Sequence, residues 1–174
     1  MKTKPSTEYA LLGTLMSGEM HGYEILRFFN EELGSTWHIS TSQLYVLLKK
    51  LENEGLLRSS VEVQETRPSK RVFSLSPEGK KVFLQWLHSP TEHARDLRIE
   101  FLTKLFFMEC LSIKGGSELI DKQIEIMERL HKRISEGENL EDVPFRKLVY
   151  GFKMTTIEIW IEWLKSKAKA HFTS

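Results

Sequence analysis

The chain has 174 residues and a net charge of +1, with 40% hydrophobic and 28% charged residues. This composition is typical of one ordinary or two small globular domains and excludes a disordered chain. No apolar run reaches the roughly 18 residues that a membrane-spanning helix needs. The N-terminus also lacks the apolar core of a signal peptide, so we expect a cytoplasmic protein. The single cysteine, Cys110, excludes an internal disulfide.

Residues 1–90 hold 11 basic and 10 acidic groups, so any nucleic-acid-binding face must come from local clustering. We predict a helix at 6–16 and a second at 21–33, each with an apolar face. The third helix begins at Ser40, because the sequence from Ser40 to Gln43 matches a capping box. Its core face repeats at i, i+3, i+4 and i+7, with Leu44, Leu47, Leu48 and Leu51.

Two short strands follow the third helix. Residues 56–63 alternate between apolar and polar, 64–69 favour a turn, and 70–75 return as a second strand. A further helix begins after Ser76, a serine cap followed by proline. Three helices and a hairpin in this order are typical of a winged helix-turn-helix. The predicted fold is mainly α with a small β-hairpin wing, followed by a C-terminal helical region.

The third helix of a winged helix-turn-helix enters the major groove, and its wing contacts the DNA backbone or the minor groove. We therefore predict a DNA-binding surface made of polar and basic residues from both elements. They are Ser40, Thr41, Ser42, Gln43, Tyr45, Lys49 and Lys50 of the helix, and Arg67, Lys70 and Arg71 of the wing. The alternative is that these lysines only solvate a helix and these arginines only cap a loop.

Three more helices, at about 94–112, 117–135 and 144–170, make up the C-terminal part. The first is apolar nearly all round, so it must be buried on several sides. This favours a homodimer built from these helices, with candidate anchors at Phe107, Met127, Leu130, Trp160 and Trp163. A monomeric bundle is the alternative. We divide the chain into a DNA-binding domain at 1–90 and a dimerisation and effector domain at 91–174, and expect a chain cut after Ser89 to fold as a monomeric winged helix.

Several motifs resemble the PadR family of bacterial regulators over about residues 8–88. They are Leu12-Gly13, Met20-His21-Gly22-Tyr23-Glu24-Ile25, Ser42-Gln43-Leu44-Tyr45, the stretch from Leu48 to Leu56, and that from Phe73 to Gly79. Val46 departs from the family, which usually has proline there. The remainder resembles, more loosely, the long-tailed members that include phenolic-acid repressors and a virulence-gene activator. The resemblance implies a transcription regulator, which we expect to be a repressor, acting as a dimer on an inverted repeat of double-stranded DNA.

Aromatic residues are abundant near the join between the two parts: Tyr9, Phe28, Phe29, Trp37, Phe101 and Phe106. The phenolic-acid members bind an aromatic acid between winged helix and tail. The resemblance therefore implies a small aromatic effector, for which we name His21, Tyr23, Trp37 and Arg98 as binding residues. The alternative is that the rings form only a hydrophobic core.

Two other classes of function stay open. The winged helix could serve as a protein-interaction module without DNA binding, or the chain could be a small helical enzyme or metal carrier. Glu128 and His131 have the Glu-x-x-His spacing of di-iron bundles, but such sites need two copies and further carboxylates. The sequence has no glycine-rich phosphate loop, no zinc spacing and no nucleophile elbow. We expect no enzymatic activity, no cofactor and no metal.

Overall fold

The computed structural model describes residues 6–34, 38–62 and 70–173. The chain forms two compact units, the first from Met1–His88 with Arg98–Ser112 and the second from Ser89–Leu97 with Ile113–Ser174. Across these three ranges, no helix is long and apolar enough to cross a membrane. The predicted fold class, mainly helical with a small antiparallel sheet, is confirmed.

The first unit contains five helices and three strands. The helices are α1 (Ser6–Thr14), α2 (Gly22–Glu31), α3 (Thr41–Asn53), α4 (Pro77–Leu87) and α5 (Leu102–Cys110), and a π-helical turn at Leu97–Phe101 precedes α5. The strands are β1 (Met20–His21), β2 (Leu57–Glu62) and β3 (Lys70–Leu75). The predicted starts of α3 and α4 are confirmed, because Ser40 caps α3 and Ser76 caps α4 through its hydroxyl.

The sheet has the order β1-β3-β2 and is antiparallel throughout. The predicted hairpin runs from the pair Leu57–Leu75 to the pair Glu62–Lys70. The sequence did not predict β1, and it placed His21 at the start of the second helix. In the structure His21 pairs with β3, and its backbone N–H donates to the Glu24 carboxylate at 2.7 Å, which caps α2.

The core of the first unit is centred on Phe107 of α5, which is fully buried. Its ring lies edge-on to Phe83 of α4 at 5.5 Å between centroids and is stacked near Phe28 of α2 at 6.3 Å. Gly13 of α1 leaves the space that the Phe107 and Phe83 rings occupy. Residues 98–112 therefore pack with the winged helix, which differs from the predicted division at residue 90. A chain cut after Ser89 would lose Phe107 from the core of the first unit, so the truncation should lower the stability of the winged helix as well as remove the C-terminal helices.

A buried ion pair lies beside this ring cluster. Lys104, 1% exposed, donates to the Glu100 carboxylate at 2.7 Å. Ser6 and the Trp86 indole N–H donate to the same carboxylate. Burial alone would raise the pKa of Glu100, but the charge and hydrogen bond of Lys104, with the other two donors, bring it below its usual value. The charge inside this core is thus paired and hydrogen-bonded, as a buried charge must be.

The second unit is a helical hairpin of α6 (Gly116–Asn139) and α7 (Pro144–Trp163), extended by a π-helical turn at Leu164–Ala168 and by α8 (Lys169–Thr173). Two ion pairs, Asp121–Lys169 and Glu128–Lys165, connect α6 to the second arm. His131 Nε2 also lies 2.8 Å from a carboxylate oxygen of Glu158, within hydrogen-bond distance. The Glu128 and His131 pattern is therefore accounted for by partners on the opposite arm. The fully buried Gln123 exchanges amide hydrogen bonds with the backbone of Thr91, which fixes residue 91 to α6.

Substitution of two helical glycines by alanine should change the free energy of unfolding in opposite directions. A Cβ at Gly13 would lie 2.6 Å from a Phe107 ring atom and 2.7 Å from a Phe83 ring atom. Overpacking costs roughly 1–3 kcal/mol, which exceeds the gain in helix propensity of about 1 kcal/mol, so Gly13→Ala should lower the free energy of unfolding. Gly151→Ala is the control, since its nearest neighbour is 3.9 Å away, and it should stabilise the protein. Urea unfolding measures both, and a stabilised Gly13→Ala variant would contradict the described packing.

Candidate DNA-binding surface

The helix α3 presents one face to the core and the other to solvent. Its leucines Leu44, Leu48 and Leu51 are fully buried. Because these positions share one side of the helix, the opposite side is left exposed. The residues on that exposed side are Ser42, Tyr45, Val46 and Lys49. Val46, with 68% of its surface exposed, is an addition to the surface predicted from sequence.

Ser40 and Gln43 are committed to the helix cap. The Ser40 hydroxyl accepts from the Gln43 backbone N–H at 3.2 Å, and the Gln43 side-chain oxygen accepts from the Ser40 N–H at 3.0 Å. The amide NH₂ of Gln43 lies outside this cap and is the part of the side chain that can donate to a ligand. Thr41 is exposed in the same first turn.

Lys50 is paired with an acid of another helix, although 47% of its own side chain is exposed. Its Nζ donates to Oε1 of Glu8 in α1 at 2.6 Å, and the Glu8 side chain is 1% exposed. This hydrogen bond and the charge of Glu8 raise the pKa of Lys50 above its usual value, against a smaller effect of burial. Lys50 thereby joins α3 to α1. Lys49 is exposed, and across 6–34, 38–62 and 70–173 it has no ion-pair partner.

The ring of Tyr45 lies against Gly22, the first residue of α2. A Cβ at Gly22 would lie 2.6 Å from the Tyr45 hydroxyl oxygen and 2.9 Å from Cζ. The lack of a side chain at Gly22 thus lets the ring lie close to α2, while 49% of Tyr45 stays exposed. The structure places Tyr45 on the exposed side of α3 with its orientation set by α2.

The base of the wing carries a row of stacked groups. The Tyr23 ring stacks on His21 at 5.5 Å between centroids, and the Lys70 ammonium lies 5.3 Å from the Tyr23 ring centroid. His21 Nε2 is 3.4 Å from the Glu62 carboxylate. Lys70, a predicted DNA contact, therefore lies over Tyr23 of α2 at the first residue of β3. Arg67 lies outside the residues that the structure describes.

Arg71 binds a carboxylate of α3. Its Nη2 donates to both oxygens of Glu52, at 2.9 and 2.7 Å, and its Nε donates to the Ser59 hydroxyl at 2.8 Å. Ser59 in turn donates to Glu52 at 2.5 Å. The hydrogen bond from Ser59, with the charge and hydrogen bonds of Arg71, holds the pKa of Glu52 below its usual value despite some burial. Arg71 therefore differs from Lys70, since its charge is already paired.

Of the aromatic residues near the predicted join, those that the structure describes belong to the first unit and differ in burial. Tyr9, Phe29 and Phe101 are buried, and Tyr9 stacks on Trp86 at 4.9 Å. Phe28 and Phe106 are half-buried and contact each other edge-on. Among the proposed effector ligands, His21 and Tyr23 are adjacent, Arg98 is exposed, and Trp37 lies outside the described residues.

The candidate dimer anchors fall into two groups. Phe107 and Met127 are fully buried within one chain and have no surface to offer a second chain. Leu130, Trp160 and Trp163 are half-buried, and the two indole rings meet edge-on at 5.9 Å. A group of large exposed apolar side chains lies instead on α7, at Phe145, Leu148, Phe152 and Ile159, with 61–72% of their surface exposed.

Three helices, a hairpin wing and an exposed polar face on the third helix define the first unit as a winged helix-turn-helix. Residues 11–85 match the model of the transcriptional regulator PadR-like family. The winged helix-turn-helix of this chain is therefore a PadR-like domain, which confirms the resemblance seen in the sequence motifs.

Two curated relatives and one solved structure agree with this assignment. The chain is 38% identical over 120 residues to the negative transcriptional regulator PadR of Bacillus subtilis and 30% identical over 95 residues to the probable transcriptional regulator Rv1176c of Mycobacterium tuberculosis. These matches cover 68% and 55% of this chain, and 65% and 50% of the relatives' own lengths. The crystal structure of Bacillus subtilis PadR in complex with operator DNA superposes with a TM-score of 0.51 at 27% identity, covering 97% of this chain and 99% of that chain.

Proposed function

We propose that this protein is a sequence-specific DNA-binding transcriptional regulator, a repressor that acts as a homodimer on an inverted repeat. The observation that carries the proposal is the exposed face of α3, where Ser42, Tyr45, Val46 and Lys49 project from a helix held by a buried leucine face. The crystallised Bacillus subtilis relative binds operator DNA with the same fold, which supports this role. The proposal places the protein in the cytoplasm, where bacterial DNA lies.

Each exposed residue of α3 has a distinct chemical role in this proposal. The free amide NH₂ of Gln43 and the hydroxyls of Ser42 and Tyr45 suit hydrogen bonds to base edges or to phosphates. The methyl groups of Val46 suit contact with the methyl group of thymine. Lys49 suits a phosphate, because its ammonium group has no ion-pair partner among the described residues and would displace condensed counterions from the DNA when it binds.

The proposed roles predict different effects for two variants of α3. Gln43→Glu keeps an oxygen for the helix cap but removes the amide donor, so it should relax sequence preference by roughly tenfold. Lys49→Ala should weaken binding to all duplexes alike and reduce the slope of log affinity against log salt by about 0.9. Sequences selected from random duplex DNA, followed by titration at several salt concentrations, measure both effects.

Lys122→Ala serves as the control, since Lys122 is exposed on α6 in the second unit. Parental affinity and specificity in both α3 variants would contradict the placement of α3 at DNA. If the parent itself showed no salt-dependent retention on any duplex, the winged helix would have to be assigned to a protein-interaction module instead.

The homodimer is supported by the exposed apolar face of α7. Phe145, Leu148, Phe152 and Ile159 lie at i, i+3, i+7 and i+14, which places them on one side of the helix. Exposed apolar surface of this extent marks an interaction site in soluble proteins. A second copy is the proposed occupant, because two-fold symmetry supplies the second DNA-reading helix that an inverted repeat requires. Leu130, Trp160 and Trp163 keep partial exposure and remain candidates for the same interface.

A charge placed in the centre of this face should dissociate the dimer. We expect Phe152→Glu to sediment as a folded monomer at micromolar concentration, because the interface would bury an unpaired carboxylate. Lys147→Glu is the control, since Lys147 is exposed two residues from Phe145 and away from the stripe. A Phe152→Glu protein that remains dimeric, or a parent that is monomeric, would place the interface elsewhere or remove it.

A small aromatic ligand remains a prediction, supported by the stacked pair of His21 and Tyr23, of which Tyr23 is 53% exposed. The burial of Tyr9, Phe29 and Phe101 favours a purely structural role for those rings. We expect an aromatic acid to raise the melting temperature of the parent and to do so less in Tyr23→Ala. If no acid in a thermal-shift series stabilises the folded parent, the rings form only a core.

A further inference from the structure

Glu52, Ser59 and Arg71 form a closed ring of hydrogen bonds that joins three elements. Glu52 lies in α3, Ser59 in β2 and Arg71 in β3. Arg71 donates to both of the others, and Ser59 donates to Glu52, so each residue contacts the other two. The Arg71 guanidinium also lies 5.4 Å from the Phe73 ring centroid. This closed set of hydrogen bonds connects α3 to both strands of the wing.

We propose that Arg71 is a positioning residue that fixes the wing relative to α3 through Glu52 and Ser59, and that it is not one of the DNA contacts. The inference rests on the proposed DNA-binding function. The sequence analysis predicts Arg71 as a DNA contact because it is basic, and this inference replaces that role with a positioning role. Glu52 becomes part of the same device, although an acidic residue on a DNA-facing helix would otherwise only repel phosphate.

Charge and geometry both favour this role. The two Glu52 oxygens occupy Nη2, and the Ser59 hydroxyl occupies Nε, which leaves only Nη1 for an outside partner. The carboxylate neutralises the guanidinium, so a phosphate contact here would release little counterion. The planar guanidinium is held at two points, since Nη2 contacts both Glu52 oxygens and Nε donates to Ser59, and a lysine ammonium cannot reproduce this fixed orientation.

The ring has more influence on geometry than on stability. The side chains of Arg71 and Glu52 are 49% and 26% exposed, and an ion pair near the surface contributes little to the stability of a fold. A binding surface, however, works only when its parts are held in the productive arrangement by such supporting hydrogen bonds. Loss of the ring should therefore change DNA recognition while leaving the melting temperature close to that of the parent.

The decisive variant is Glu52→Gln in the full-length protein. Simple electrostatics predicts that removal of a negative charge from α3 tightens binding to every duplex. The positioning role predicts that the ratio of affinity for a selected sequence to affinity for random duplex falls roughly tenfold. This is about the discrimination that one base contact provides. Arg71→Lys should show the same fall, because it keeps the charge but cannot bind Glu52 and Ser59 at the same time in a fixed orientation. The readouts are this ratio, the salt slope and the melting temperature.

Lys49→Ala provides the matched comparison, since it should lower the salt slope by about 0.9 whereas the Arg71 and Glu52 variants should leave the slope unchanged. The exchange Glu52→Arg with Arg71→Glu should recover part of the lost selectivity. The inference is overturned if Arg71→Lys keeps parental selectivity, if Arg71→Ala lowers the slope as Lys49→Ala does, or if Glu52→Gln binds selected DNA more tightly with unchanged selectivity. Absence of DNA binding by the parent would overturn the proposed function instead, before any variant is compared.

Discussion

The first unit depends on the packing of Phe107 into the space left by Gly13. The ring is fully buried and contacts Phe83 of α4 and Phe28 of α2, so a residue from outside the three-helix motif completes its core. Small domains have little apolar surface to bury, and each large side chain contributes a substantial fraction of the stabilising free energy. Helix α5 is therefore part of the winged helix as a folded unit, even though it follows α4 in the chain by 14 residues of other structure.

Two basic residues of this unit are paired with acids that are more buried than they are. Glu8 is nearly inaccessible and holds Lys50, while Glu52 holds Arg71. Each acid has a basic partner on a different element, so the pairs fix how α1, α3 and the wing meet. Lys49 and Lys50 are neighbours on α3 and both are exposed, but among the described residues only Lys50 pairs with Glu8. The rotation of about 100° between neighbouring helix positions brings Lys50, and not Lys49, within reach of this carboxylate.

Local signals explain what could be predicted from the sequence. The Ser40 and Gln43 cap, the leucine stripe of α3 and the Ser76-Pro77 start of α4 each depend on residues within one or two helical turns, and the structure has all three. The resemblance of the surrounding motifs identified the family from the same region. The exposed side of α3 followed directly from the position of its buried side.

Contacts between distant residues explain what could not be predicted. Glu8 is 42 positions from Lys50 and Glu52 is 19 from Arg71, and no local pattern pairs them. The strand β1 has only two residues, too few to show alternation. An apolar stretch of sequence also does not reveal whether its own chain or a partner chain buries it. For this reason the sequence predicts an interface role for Phe107, which lies in the core of its own chain, and predicts none for Phe152, which is 72% exposed.

The pairing of Lys50 and Arg71 with acids has a consequence for how the protein finds its site. Under the proposed DNA-binding function, a chain of net charge +1 in which Lys50 and Arg71 are paired with acids would be held only weakly by random duplexes, since that binding comes almost entirely from phosphate neutralisation. A larger fraction of molecules would then stay free in solution and search by repeated short encounters instead of long residence on the chromosome. Occupancy of an operator in such a system follows the concentration of the regulator closely, because the bulk of the genome competes little for it.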